Sequence, residues 1–301
     1  LDAEFSAEWF FIHRRMNAIS VLAARNDWFQ KSEITEVIAA IRAATPGFEL
    51  VGYGGSMGAY AVINFADLLG LRSVLAVCPQ FSIDSARAGY EPRWRTEAAA
   101  IEADGGFAFD RIDRVSRLTK GWLVFDPGCT DGLHARDIQR HHALPELRLR
   151  FGGHDMMRML QQADLFTDMI LDMLEGRFEP VSFRRRWRAA RRRSAVYWLA
   201  VSAALLRRGN AAAALRAIAE ARLLPHPETA EIDVAEARIR LASREAAAAS
   251  SLAEKWADHP IWGEAAQACL SQCRPPPAPV RPKIGMRLRS LLRACWRKLR
   301  P

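Results

Sequence analysis

The chain has 301 residues, half of them hydrophobic, which is enough for a sizeable core and more than one ordinary domain needs. Its net charge of +9 is uneven: seven arginines fall within 183–193 and eight basic residues within 281–300, with no acid in either run, so the remainder carries −6. That distribution excludes a folded basic groove for nucleic acid. The five scattered cysteines (Cys78, Cys129, Cys269, Cys273, Cys295) exclude a disulfide framework and fit a reducing, cytoplasmic compartment, and the longest lipid-compatible run, Ser194–Leu206, is too short to span a bilayer.

In chain order, Glu4–Met16 has the spacing of an amphipathic helix, and Ile19–Ala23 reads as a strand after it. The loop Arg25–Gln30 leaves that strand and carries Trp28, a candidate wall for a bound substrate. Phe48–Tyr53 is a short apolar run that reads as a buried strand, and Met57–Leu69 has apolar residues at helical spacing. Between them lies Gly54-Gly55-Ser56-Met57-Gly58, a G-x-S-x-G pentapeptide. A sharp strand-to-helix turn holds its central residue at unfavourable backbone angles and leaves little room beside it. Glycines at 54 and 58 therefore suit a serine whose hydroxyl projects at the sheet edge.

A serine hydroxyl becomes a nucleophile when a base takes its proton, so the downstream acids and histidines matter. Cys78–Asp84 follows an earlier strand. The segment Phe81–Phe109 contains Glu91-Pro92-Arg93-Trp94-Arg95, where Arg93 or Arg95 suits an anionic substrate. Trp122–Phe125 is an apolar strand bounded by Gly121 and by Asp126-Pro127-Gly128, and its exit loop carries Asp126, Asp131 and His134. His134 has no second ligand pair at metal-binding spacing, so no metal or cofactor is expected. His141 and His142 stand at a predicted helix end, in a solvated or capping role. Leu147–Phe151 reads as a last strand, and Gly152-Gly153-His154-Asp155 is the flexible turn that presents a histidine.

Beyond the basic run the composition becomes rich in Ala, Leu and Arg, and the pattern helical. Trp198, Leu205, Gly209, Ala214 and Ile218 recur 34 residues later as Ile232, Ile239, Ser243, Ala248 and Leu252, whereas Lys255 takes a small-residue position. Arg274–Pro279 reads as an extended linker and Ile284–Leu299 as a basic amphipathic helix suited to an anionic membrane surface or an acidic partner.

Ser56, then Asp131, then His154 is the chain order of an α/β-hydrolase triad, and residues 1–180 resemble the α/β-hydrolase superfamily. The resemblance implies a mostly parallel sheet in which Ser56 is the nucleophile, His154 the general base, Asp131 the orienting acid and the Met57 N–H an oxyanion donor. Asp126, at the strand end, is the runner-up acid, and Asp84 a more distant third. The second oxyanion donor of the family comes from the loop after an early strand. No His-Gly or multi-Gly run stands here, and the chain opens on Leu1 with a helix-like pattern. The expectation is therefore an N-terminally truncated chain whose missing strand and loop lie upstream, at a cost on the order of 10²- to 10³-fold in rate. Residues 194–273 resemble tetratricopeptide repeats.

The expected organisation is a hydrolase-like α/β domain over 1–180, a basic linker over 181–193, tetratricopeptide-like all-α repeats over 194–273, and a Pro-rich linker with a basic tail over 274–301. The expected activity is that of a serine esterase, thioesterase or deacylase. The alternatives are an inactive scaffold or an acyltransferase, with the repeats contacting a protein partner. The stretches Asp27–Gln30 and Pro79–Asp84 resemble bacterial hydrolase-like proteins of cell-surface polysaccharide clusters, which implies a glycan ester or other small ester as substrate.

Overall fold

The computed structural model describes residues 10–11, 13–224 and 229–273. Most of the helix expected over Glu4–Met16, and all of the Pro-rich linker and basic tail, lie outside the described residues. The chain divides into two compact units, Leu1–Ile232 and Asp233–Pro301.

The first unit begins with α1 (Glu33–Ala44), β1 (Leu50–Gly55), α2 (Met57–Asn64), α3 (Ala66–Leu69), β2 (Leu71–Val77) and α4 (Arg95–Ala103). It continues with β3 (Gly121–Phe125), α5 (Thr130–Gln139), β4 (Glu146–Arg148), α6 (Met156–Gln162), α7 (Phe166–Leu174), α8 (Pro180–Ala190), α9 (Ala195–Arg207) and α10 (Ala211–Arg222). The four strands form one sheet in the order β1-β2-β3-β4, and every pairing is parallel. Parallel strands joined by helical crossovers are covered on both faces, so both sets of alternating side chains must be apolar. They are. Val74, Ala76, Leu123 and Phe125 pack with Ala59 and Ile63 of α2 and with Ala135 and Ile138 of α5. Leu75, Val77, Val124 and Leu147 pack with Met159, Met169, Phe183 and Trp187 from the helices after β4. Gly121 opens β3 at φ 125°, and a Cβ there would sit 1.9 Å from the Val74 carbonyl oxygen. Only glycine admits that approach of the two strands.

The structure departs from the sequence expectations in four elements. Ile19–Ala23 forms no strand; Ile19 and Leu22 are 52% and 58% exposed, and a strand exists only through a ladder partner, which this run lacks among the described residues. The helix expected over Met57–Leu69 breaks at Phe65. Asn64, fully buried at that break, donates to Phe109 O and accepts from Arg111 N, and so ties the helix end to the loop across it. The last strand stops at Arg148, one ladder bond (Leu149 N to Phe125 O, 2.9 Å) continuing beyond it, because Phe151 turns to φ 69°. Finally, the run expected as a basic linker, 181–193, is mostly helix α8. Its arginines cover a stripe formed by Phe183 and Trp187, which bury in the same cluster as Leu147 and Met169 and as Val196 and Tyr197 of α9. Amphipathic spacing, hidden in the charge run, makes this segment part of the first unit rather than a boundary.

The C-terminal region is all-helical. Ser194 caps α9 by accepting from Tyr197 N, and Asn210 caps α10 by accepting from Ala213 N. After them come α11 (Thr229–Ala242), α12 (Ala246–Glu254) and α13 (Gly263–Cys273). The helix starts at Ala195, Thr229 and Gly263 recur every 34 residues, the period read in the sequence. In the second unit Val234, Ala237, Ala253, Ala266 and Cys269 form a small core, and Trp256 Nε1 donates to Asp233 at 3.0 Å. Lys255 reaches the same carboxylate at 3.9 Å and keeps its side chain in solvent, which is how a lysine fits a small-residue position. No helix among the described residues is long and apolar enough to cross a membrane.

Candidate active site

Ser56 is the hinge between β1 and α2. Its backbone sits at φ 53°, ψ −120°, a conformation costly for a residue with a Cβ, and its N–H is anchored on Val77 O at 2.9 Å. Gly54 makes the turn feasible: a Cβ there would lie 2.3 Å from the Gly58 carbonyl. Gly58, paired with it in the sequence expectation, is different, because a Cβ on it meets nothing within 4 Å. The second glycine contributes its backbone, not the lack of a side chain. Met57 is the first helical residue of α2, so its N–H has no carbonyl partner within the helix and points where the dipole favours negative charge.

The turn after β4 brings His154 back to this hinge. Ser56 Oγ lies 2.9 Å from His154 Nε2, and His154 Nδ1 lies 2.9 and 3.2 Å from the two oxygens of Asp131. With the carboxylate acting only as acceptor, Nδ1 carries the proton and Nε2 is left to accept from the serine. Asp131 belongs to the first turn of α5, where an acid is favoured by the helix dipole, and its side chain is fully buried. Arg93 Nη2 donates to its outer oxygen at 2.8 Å.

Asp126, the other acid leaving β3, does not reach the imidazole. It accepts from Gly128 N at 2.8 Å and from Gly152 N and Gly153 N at 3.1 and 3.0 Å, fastening the β3 exit to the turn that holds His154. Asp84 is spent on its own turn, accepting from Ala86 N at 2.8 Å. Three of the expected residues, 56, 131 and 154, thus converge, while two expectations about binding residues are corrected. Trp28 is 1% exposed and packs behind Trp94 at 5.8 Å, so it is core rather than a cleft wall. Trp94, which sequence reasoning passed over, is the ring that meets His154, edge-on at 6.0 Å. Arg93 is engaged through Nε and Nη2 by Glu91 and Asp131, so its charge is already paired within the protein.

The remaining candidates are accounted for by burial. His142, expected in a solvated or capping role, is buried, accepting from Leu118 N at 3.2 Å and donating to Ile112 O at 3.0 Å; burial pushes its pKa down. His141 stacks on Phe81. Burial, together with the Asp131 charge, pushes the Cys78 thiol up and the Cys129 thiol to about 12, so neither competes with Ser56 as a thiolate nucleophile. Donor atoms of Cys78, Asp131 and His154 lie within 4.8 Å of one another, but a protonated thiol and a carboxylate already paired with Arg93 are poor metal ligands.

No protein-family model, no curated protein and no solved structure matches this chain.

Proposed function

We propose that this protein is a serine hydrolase of the α/β-hydrolase type acting on an ester or thioester, with a glycan ester as a candidate substrate. One observation carries the reading: an unbroken hydrogen-bonded line from a backbone-strained Ser56 through His154 to the buried Asp131, at the rim where parallel strands end. In the reaction Ser56 Oγ attacks the acyl carbonyl while His154 Nε2 takes its proton, and the Asp131 carboxylate stabilises the imidazolium. The Met57 N–H faces the developing oxyanion. His154 then returns the proton to the departing alcohol or thiol. In the second half water adds to the acyl-enzyme, giving its proton to His154, and His154 passes that proton to Ser56 Oγ as the bond to the acyl carbon breaks and the acid departs. No step requires a cofactor.

The 34-residue recurrence of helix starts supports a tetratricopeptide-like arrangement of the C-terminal helices, a surface that would suit a protein partner. The four described cysteines are all free, which fits a reducing compartment. Covalent labelling by a fluorophosphonate, present in the full chain and absent in Ser56→Ala, tests the hydrolase reading; a wild-type protein that is folded yet unlabelled rejects it.

A further inference from the structure

Beyond the line to Ser56, Asp131 also meets the Cys78 thiol and the Arg93 guanidinium. The guanidinium on its outer oxygen is also held by Glu91, whose Oε1 accepts both Arg93 N and Arg93 Nε at 2.8 Å and whose Oε2 accepts from the same Nη2 that reaches Asp131. The Glu91 side chain is 1% exposed and its Oε2 also meets His134 Nε2 at 2.8 Å. His134 accepts the Phe81 N–H at Nδ1, 3.0 Å away, which makes it the neutral tautomer donating from Nε2 to Glu91. Charges therefore alternate along one line, its two carboxylates buried: Glu91 negative, Arg93 positive, Asp131 negative, then the imidazole that must become positive. Burial pushes Glu91 up, but the hydrogen bonds from Arg93 and His134 outweigh it and hold the carboxyl at about 2, so it is ionised at neutral pH.

The other groups facing His154 supply no comparable charge. From the β1–α2 hinge comes the neutral Ser56 hydroxyl, from the segment before α4 the Trp94 ring, and from the exit of β2 the protonated thiol of Cys78. On its own turn Asp155 is paired with Arg158, and Asp126 is bound by backbone amides. Resting on the hydrolase reading above, we infer that Arg93 and Glu91 are positioning residues that tune the basicity of His154 through Asp131. Arg93 draws negative charge from the acid and fixes its plane, and Glu91 offsets that effect.

The two members of the pair must then act with opposite sign. Arg93→Met returns the full Asp131 charge to the imidazole, favours imidazolium and moves the acid limb of reactivity to higher pH. Glu91→Gln leaves the Arg93 cation uncompensated and moves the limb to lower pH. Across a separation of ~6 Å at an effective dielectric near ~20, the Arg93→Met displacement should be about two pH units, and the Glu91→Gln displacement smaller because that charge lies beyond Arg93. Arg93→Lys keeps the charge without the planar fork, so its limb should stay near wild type while the rate drops.

The test measures, on the full chain, the rate of fluorophosphonate labelling of Ser56 as a function of pH and, in parallel, the titration of His154 by nitrogen-15 NMR of histidine-labelled protein. Opposite displacements in the two variants, with Arg93→Lys near wild type, support the pair. Displacements of the same sign, or none, in variants whose circular dichroism is unchanged overturn it even when wild-type Ser56 labels normally. If wild-type Ser56 is not labelled, the hydrolase reading fails, while the NMR titration still decides whether the pair moves the imidazole. Should Arg93→Met not fold, Glu91→Gln decides: a titration that does not move downward overturns the inference.

Discussion

The turn that leaves β3 and the first turn of α5 each hold a carboxylate, and the two are used in opposite ways. Asp126 is surrounded by backbone N–H groups of Gly128, Gly152 and Gly153, which never titrate and cannot pass on a proton. Asp131 meets side chains that carry or acquire charge, Arg93 and His154. A carboxylate satisfied by amides fastens two loops together; one satisfied by an imidazole can respond to a proton arriving there. The same residue type, a few positions apart, ties two loops together or pairs with ionisable side chains according to what surrounds it.

Removing groups one at a time breaks this comparison in a fixed order. Ser56→Ala should lower ester turnover by roughly 10⁴- to 10⁶-fold with an unchanged circular dichroism spectrum, read with an activated ester such as p-nitrophenyl acetate. Asp131→Asn should cost about 10⁴-fold, because the amide cannot stabilise the imidazolium and favours the wrong tautomer. Asp126→Ala should cost nearer 10²-fold, through displacement of the His154 turn, together with about 2–4 kcal/mol of stability in urea unfolding from three amides left unpaired. Equal rate losses at the two acids would show that their roles have been wrongly divided.

The glycines of the hinge sharpen the same contrast between backbone and side chain. Gly54→Ala drives a methyl into the Gly58 carbonyl and should cost upwards of about 3 kcal/mol in urea unfolding, with labelling of Ser56 lost. Gly58→Ala, whose new methyl meets nothing, should change stability by less than about 1 kcal/mol and leave labelling intact.

Other effects are in the pH dependence of stability. His142 is held below its ordinary pKa by burial, so below about pH 6.5 the unfolded chain takes up a proton that the folded chain refuses. Stability should fall there by up to ~1.4 kcal/mol per pH unit, and His142→Gln should flatten that part of the profile. Glu91 acts further down: its contribution is complete above its ordinary value of 4.5 and is lost as pH falls toward about 2. Thermal unfolding across pH separates the two, since each vanishes with its own substitution.

Much of the sheet could be read from local pattern, for a local reason. Trp122–Phe125 is continuously apolar because a central parallel strand is buried on both faces, and the G-x-S-x-G run announces a turn that few other residues tolerate. The failures are those of side chains whose meaning depends on distant neighbours. Nothing near Trp28 or Trp94 in the chain says which ring faces the histidine and which is core. Arg93 reads as a free cation until Glu91 and Asp131 are placed beside it. The arginines of α8 masked the spacing of Phe183 and Trp187, so a packed helix read as a linker.

Local pattern alone thus marked the Trp122–Phe125 strand, the serine hinge, the histidine turn and the helical recurrence of the C-terminal region, since each is a matter of residues adjacent or regularly spaced along the chain. The choice of acid, the ring beside the histidine and the charge line behind the carboxylate were decided only when the chain folded. Hydrogen bonds between groups remote in sequence depend on distances of a few ångströms, and no spacing along a chain encodes those.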